Sequence, residues 1–94
     1  MRLIFSARAR QELMAIQRRI AKDSPEAAQK LKDRLAKAIE QLTQFAGMGR
    51  PGRIAGTREL VVPGTRYVVP YRVREDTVEI IAVYHSTQKW PDTF

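Results

Sequence analysis

The sequence predicts an α+β domain with the element order β-α-α-β-β-β, in which a helix hairpin packs on one face of a small antiparallel sheet. In the first half, apolar residues recur every three or four positions, which is the period of an amphipathic helix. In the second half, β-branched and aromatic residues fill three short runs bounded by turn residues. A glycine-rich segment that begins at Gly47 divides the two halves.

The first strand and the first helix follow each other directly. Arg2–Phe5 is a short apolar run of strand-forming residues, and Ser6 after it suits the N-cap of a helix. The helix is predicted from Ala7 to Lys22, with a basic opposite face. Its apolar stripe consists of Ala9, Leu13, Ile16 and Ile20.

The second helix begins with strong local signals. Ser24 is a suitable N-cap, and Pro25 fits the first helical position, where its missing N–H costs nothing. Glu26 in the first turn favours the helix dipole. We expect this helix to run from Pro25 to about Phe45 and to form an antiparallel hairpin with the first helix. Its apolar face consists of Ala27, Leu31, Leu35, Ile39, Leu42 and Phe45.

Three strands are predicted after the loop at Gly47–Arg53. The last of them has apolar residues on both faces, so we expect it to be central in the sheet. Pro70 inside the middle run removes a ladder donor and indicates an edge or a bulge. The sheet face away from the helices is left to solvent or to a partner. The three strands are Thr57–Val62, Arg66–Val73 and Thr77–Tyr84, with turns at Pro63-Gly64-Thr65 and Glu75-Asp76.

Size and composition narrow the function. Ninety-four residues form a single domain, 1–94. Seventeen Lys and Arg against ten Asp and Glu give a net charge of +7, which attracts a polyanion or an acidic partner. One histidine and no cysteine predict no metal site and no cofactor. Without a signal peptide or a membrane-spanning run, a cytoplasmic protein is expected.

The strand half concentrates side chains that could contact RNA or a protein target. Arg58 and Arg66 could stabilise a phosphate, and His85 could act as acid or base in metal-free cleavage of RNA. Aromatic residues among them could stack on a base. The candidates for target or RNA binding are Arg50, Arg53, Tyr67, Arg72, Gln88, Lys89 and Trp90.

Each candidate also has a purely structural interpretation. The lone His85 could be satisfied by a backbone carbonyl, and Trp90 before Pro91 could cap a core. Tyr71 between valines is expected in the core. Arg58 and Arg72 could pair across the sheet with an acidic residue, the candidates being Glu59, Glu75 and Glu79.

Four segments, taken in order, resemble the toxins of the RelE/ParE superfamily. They are Asp23-Ser24-Pro25-Glu26-Ala27-Ala28 between the helices, Gly47–Arg53 followed by Gly56-Thr57-Arg58-Glu59-Leu60-Val61, then Tyr67-Val68-Val69-Pro70-Tyr71-Arg72-Val73, and finally Val78–His85 with Gln88-Lys89-Trp90-Pro91. Each segment is weak evidence alone, but together they cover nearly the whole chain in the family's order.

The resemblance implies a toxin whose partner is a cognate antitoxin with an acidic toxin-binding segment. ParE-like members inhibit DNA gyrase without catalysis, whereas RelE-like members cleave messenger RNA on the ribosome. The resemblance assigns catalysis to Arg58, Arg66 and His85 only in the RelE-like case. The segment at Tyr67–Val73 and the tail from His85 look closer to ParE-like chains. A basic nucleic-acid-binding module without toxicity is a third alternative, but it leaves the order of the motifs unexplained.

Overall fold

The computed structural model describes residues 1–90 and shows two helices packed on a mixed sheet. This arrangement confirms the predicted α+β class, and two short strands are added to the predicted order. In chain order the elements are β1 (Arg2–Phe5), α1 (Ala7–Asp23), α2 (Pro25–Gln41), β2 (Arg50–Pro51), β3 (Arg58–Val61), β4 (Tyr67–Arg74), β5 (Thr77–Ile80) and β6 (Tyr84–His85).

The strands lie in the order β1-β5-β4-β3-β2, and β6 also pairs with β4. All pairs are antiparallel except β1 with β5, which run parallel with Leu3 opposite Val78. The sequence analysis expected an antiparallel sheet throughout. The direction of β1 depends on how the intervening helices return the chain to the sheet, and a parallel pair requires such a long connection. The alternation of apolar and polar residues within β1 does not show which way the chain returns to the sheet, so the sequence could not predict the direction of β1.

The predicted last strand divides into β5 and β6, because residues 81–83 leave the regular ladder. β5 lies between β1 and β4, which confirms that it is central. Pro70 stands where β4 passes from β6 to β5, and its carbonyl accepts a 3.0 Å hydrogen bond from the Ile81 N–H. The expected irregularity at Pro70 is therefore present, but it is a break at residues 81–83 of the neighbouring strand, and Pro70 does not lie on an edge strand.

Both helices begin where the sequence predicts. The Ser6 and Ser24 side chains accept hydrogen bonds from the N–H groups of the residues three positions later. α2 ends at Gln41, four residues before the predicted end at Phe45. The chain continues in tight turns, with the Thr43 N–H donating to the Glu40 carbonyl. Such turns satisfy carbonyls that the helix end leaves free.

The main core lies between the helices and the sheet, and a smaller cluster lies on the opposite sheet face. The main core is formed by α1, α2 and the facing side chains of the strands; its most enclosed members include Leu35, Ile39, Leu42, Val69, Tyr71, Val78 and Ile80. On the opposite face, Ile81, Ala82 and Tyr84 are buried, and Trp90 packs on them. The face that was expected to meet solvent or a partner is therefore partly covered by the chain itself. Ile4 (41% exposed) and Val61 (47%) stay accessible there.

The two N-caps should differ in their contribution to stability. Ser24→Ala removes one exposed capping bond and should lower the free energy of unfolding by about 1 kcal/mol. Ser6→Ala should cost roughly 2 kcal/mol, because its hydroxyl also donates to the Ile81 carbonyl at 2.7 Å and is partly buried. Urea unfolding of both variants measures the difference. Equal losses would contradict a second role for Ser6.

Candidate functional site

Two aromatic rings meet where β4 begins and β6 ends. Tyr67 and His85 face each other in register, with ring centroids 5.4 Å apart and ring planes at 87°. From α1, the Arg19 guanidinium donates a 3.1 Å hydrogen bond to the Tyr67 hydroxyl. These contacts fix an edge-to-face pair, here called the Tyr67–His85 ridge, at the open end of the helix–sheet interface.

The Tyr67–His85 ridge borders two clefts. The smaller, about 190 Å³, is polar and is lined in part by Glu12, Arg19 and Gln88. The larger, about 480 Å³, is here called the basic cleft. Its other lining residues are Ile20, Ala27, Lys30, Leu31, Arg34, Gly64, Thr65 and Arg66. The basic cleft therefore combines an apolar surface with cationic side chains, and no acidic residue lines it.

The hydrogen bonds of His85 identify its neutral tautomer. Its Nδ1 accepts from the Thr87 backbone N–H at 3.2 Å and lies 2.8 Å from the Thr87 hydroxyl. Because a backbone N–H can only donate, Nδ1 is the acceptor and the proton of the neutral ring is on Nε2. Within residues 1–90, Nε2 has no hydrogen-bond partner. The structural role expected for His85 thus uses Thr87 and not a backbone carbonyl.

The three predicted catalytic residues do not come together. Arg66 is exposed and lines the basic cleft with His85, and its carbonyl accepts from the Ser86 N–H at 2.7 Å. Arg58 lies opposite Tyr71 in the β3–β4 ladder, whereas His85 lies opposite Tyr67. Four positions along a strand correspond to about 13 Å. The structure therefore brings together two residues of the set and separates the third.

Arg58 binds the loop after α2 and not the acidic residues considered for it. Its guanidinium donates to the carbonyls of Gly49 at 2.8 Å and Gly47 at 3.3 Å. Arg72 does pair across the sheet as expected, with Glu79. The cross-strand prediction is thus confirmed for Arg72 and wrong for Arg58, because the loop carbonyls lie within reach of Arg58.

Tyr71 holds the same loop from inside the core. The side chain is fully buried, as predicted, and its hydroxyl donates to the Ala46 carbonyl at 2.7 Å while accepting from the Gly49 N–H at 2.9 Å. Burial raises the Tyr71 pKa above its ordinary value of 10.0, and the Gly49 N–H and the Arg58 charge partly oppose this shift. The phenol therefore stays neutral where an exposed tyrosine would ionise.

Stability should fall in alkaline solution because of this raised pKa. Above about pH 10, the unfolded chain loses the Tyr71 proton while the folded chain retains it, so the unfolded state binds fewer protons. The contribution is complete below that pH and disappears as the pH rises toward the folded-state pKa. Denaturant midpoints measured between about pH 9 and 11 should decline, and Tyr71→Phe should make the decline shallower. An identical decline in Tyr71→Phe would contradict this assignment.

The buried carboxylate of Glu59 binds two loop arginines on the sheet face away from the helices, here called the outer sheet face. The sequence analysis did not select Glu59 as a site residue. Glu59 is only 2% exposed. Its Oε1 accepts from Arg50 Nε and Nη2 at 3.1 and 2.9 Å, and its Oε2 accepts from the Arg53 N–H at 2.9 Å. The Arg53 guanidinium lies 3.5 Å from the same Oε2. A lone acid in an apolar strand near two loop arginines was the available sequence signal.

Three further candidates lie in the last described segment. The Trp90 ring stacks on the Arg53 guanidinium, whose Cζ lies 3.8 Å from the ring centroid. The Trp90 and Tyr84 ring centroids are 4.7 Å apart. The expected capping role of Trp90 is therefore confirmed, while Pro91 lies outside the described residues. The Gln88 side chain accepts from the His85 N–H at 3.3 Å and closes a turn. Lys89 is exposed.

Two searches of the described residues concern metal ligands and membrane-spanning helices. Between residues 1 and 90, no group of three or more His, Cys, Asp and Glu side chains could hold a metal ion. Neither described helix is both long and apolar enough to span a bilayer. The candidate surfaces described above are the basic cleft, the smaller cleft beside it and an arginine-rich sheet face.

A helix hairpin packed on a mixed sheet beside a basic cleft is the arrangement expected of a small toxin of the RelE/ParE type. The model of the family described as the ParE toxin of the type II toxin–antitoxin system, parDE, matches residues 3–90. The chain belongs to this family of type II toxin–antitoxin toxins.

Relatives agree with this assignment. Y4kP of Sinorhizobium fredii, a protein with the designation of a toxin, is 42% identical over 90 residues, covering 96% of this chain and 93% of that protein. Toxin RelE2 of Caulobacter vibrioides is 35% identical, covering 92% and 96% of the two chains. A chain in the structure of the chromosomal ParDE toxin–antitoxin system from P. aeruginosa superposes with a TM-score of 0.83 at 27% identity, covering 90% and 95%.

Proposed function

We propose that this toxin inhibits bacterial growth in the cytoplasm by binding DNA gyrase, without catalysis of its own. The observation that carries the proposal is the position of Arg58, which is bound to loop carbonyls about four strand positions from His85. The match to the ParE family model supports the same side of the superfamily.

Metal-free cleavage of RNA needs its acid, its base and its cationic groups around one phosphate. Such groups act at hydrogen-bond distance from the reacting atoms. A side chain that is about 13 Å along the sheet and already bound to Gly47 and Gly49 does not meet this requirement beside His85. Binding to a protein target requires only an accessible surface, and the chain presents a strongly basic one.

The test is a gyrase supercoiling reaction with relaxed plasmid and purified toxin. We expect concentration-dependent loss of supercoiling, released by the cognate antitoxin. His85→Ala should inhibit as well as the unmodified chain, because the imidazole has no catalytic task in this proposal. Supercoiling that stays intact at saturating toxin would refute gyrase as the target.

A ribosome-dependent endoribonuclease is the second candidate, favoured by one observation. His85 and Arg66 line the same basic cleft beside Tyr67, and Nε2 of His85 is without a partner in the described chain. With ribosomes programmed by messenger RNA, this alternative predicts cleavage that falls by about a hundredfold or more in His85→Ala. Uncut messages with the unmodified toxin would exclude it.

We further propose that an acidic segment of the cognate antitoxin binds the basic cleft. Its apolar residues Ile20 and Leu31 would contact apolar side chains of that segment, while Lys30, Arg34 and Arg66 would contact carboxylates. Opposite charges across an interface accelerate association and disfavour other partners. The net charge of the chain, +7, is also positive, so it attracts the acidic segment at long range before the segment reaches the cleft.

Charge reversal separates this cleft from general attraction to the basic surface. Lys30→Glu with Arg66→Glu should weaken antitoxin binding by about tenfold or more. Lys37→Glu is the control, because Lys37 lies on the same helix but lines a different groove beside Glu40. Binding measured by calorimetry at two salt concentrations compares them. Equal losses after correction for the number of reversed charges would refute the assignment to the cleft.

A further inference from the structure

We propose that the loop before β3 and the segment after β6 form one conformational unit, here called the clasp, that opens and closes as a whole. The clasp joins Arg53 of the loop to Trp90 of the segment, and both rest on residues of the sheet, Glu59 of β3 and Tyr84 of β6. Arg53 is its central residue, since it contacts Glu59 on one side and Trp90 on the other. The clasp is independent of the target assigned to the toxin.

The contacts form a continuous chain from a rigid strand to the last described residue. Glu59 is fixed in β3, and its Oε2 holds both the backbone N–H of Arg53 at 2.9 Å and its guanidinium at 3.5 Å. The guanidinium in turn lies 3.8 Å from the Trp90 ring centroid. On the sheet side, Trp90 packs against Ile81, Ala82 and Tyr84, and its ring centroid lies 4.7 Å from that of Tyr84. The indole is therefore held between a cation and a phenol ring.

At the Trp90 end, the clasp is held by stacking and burial, whereas Arg53 is hydrogen-bonded to Glu59. The buried indole N–H of Trp90 has no acceptor among residues 1–90. A buried donor without an acceptor opposes docking, whereas the cation–π contact and the ring pair favour it. The Arg53 side chain is also half exposed, which moderates its attraction. Because these favourable and unfavourable contributions to the free energy of Trp90 docking are small and of opposite sign, we expect the docked state of Trp90 to open readily.

Coupling between the two ends of the clasp must be reciprocal. If Arg53 favours the docked Trp90, then the docked Trp90 favours the ordered position of Arg53 by the same factor. Arg53 acts as a positioning residue whose effect can be read at either end. The amide of Arg53 reports one end, because it is protected by its bond to Glu59. Trp90, the one tryptophan of the chain, reports the other.

The first experiment follows Trp90 fluorescence in the full-length toxin. Arg53→Ala should red-shift the emission and increase quenching by acrylamide, since losing a contact of this type lowers the closed-to-open ratio by about two- to fivefold. Arg50→Ala is the matched control, because Arg50 also binds Glu59, whereas the cation stacked on the Trp90 ring is Arg53. Far-UV circular dichroism establishes that both variants are folded.

The second experiment reads the opposite end and does not require an Arg53 variant to fold. In Trp90→Ala, amide hydrogen exchange at Arg53 should accelerate by about two- to fivefold, while exchange in the middle of α1 stays unchanged. Faster exchange at Arg53 together with Arg53-specific quenching would establish the clasp. Unchanged exchange at Arg53, or equal quenching in Arg50→Ala and Arg53→Ala, would overturn it.

Discussion

Gly49→Ala is expected to lower the free energy of unfolding by about 3 kcal/mol. An alanine Cβ at this position would lie 2.5 Å from the Tyr71 hydroxyl, 2.6 Å from its Cε1 and 2.9 Å from the Glu59 carbonyl oxygen. The Tyr71 ring is fully buried and the Glu59 carbonyl belongs to β3, so moving either of them would disturb the packing of the core or the hydrogen bonds of the sheet. Relief of the overlap would also break the 2.9 Å bond from the Gly49 N–H to Tyr71.

Gly47→Ala is the matched control two residues earlier. Nothing lies within 4 Å of a Cβ at Gly47. Its effect should be within about 0.5 kcal/mol, or slightly stabilising through the lower entropy of the unfolded chain. Thermal and urea unfolding of the two variants give the comparison. Similar stability of both variants would show that the loop yields around Gly49 and that Tyr71 does not hold it in place.

Glu59→Ala should lower the free energy of unfolding by about 2–4 kcal/mol. The substitution leaves the Arg53 N–H without its acceptor, removes two hydrogen bonds from Arg50 and creates a small void in a 2% exposed site. The free energy of unfolding should not fall by more than this, because the Arg50 and Arg53 guanidinium groups are about half exposed and water can hydrate them once the carboxylate is removed. Denaturant unfolding measures the change.

Glu79→Ala tests whether burial, and not ion pairing itself, makes Glu59 important. Glu79 also pairs with an arginine on the outer sheet face, but the Glu79 and Arg72 side chains are 29% and 35% exposed. Exposed pairs contribute little, so the loss should be about 1 kcal/mol or less. If Glu79→Ala were as destabilising as Glu59→Ala, the buried position of Glu59 would not be the cause.

Much of the fold could be predicted because its signals are local. The caps at Ser6 and Ser24, the proline at the start of α2 and the burial of Tyr71 follow from residues within a few positions of each other. The end of α2 was predicted four residues late, because Leu42 and Phe45 continue the apolar period although the helix ends at Gln41. Leu42 is fully buried as predicted, but the prediction that Phe45 belongs to the core-facing stripe was wrong, because the chain turns before it and leaves its side chain 62% exposed.

The candidate site was less predictable, since it depends on distance across the sheet. His85, Arg66 and Arg58 were grouped by residue type, but strand register places Arg58 about 13 Å away along β4. Glu59 was considered only as a partner for Arg58 or Arg72. Its actual partners, Arg50 and Arg53, come from the loop before β3. Which of several nearby arginines reaches an acid depends on the loop path.

The sequence by itself determined a basic α+β domain with its helices, caps and core strands, and these follow from local periodicity, capping chemistry and composition. Its class, a toxin domain, followed from the resemblance of its ordered motifs to the RelE/ParE superfamily. Only the tertiary structure decided that β1 runs parallel to β5, that the three candidate catalytic residues are divided, and that Glu59, Arg53 and Trp90 form one cluster. Those features arise from contacts between residues far apart in sequence, and the geometry that joins them exists only once the chain has folded.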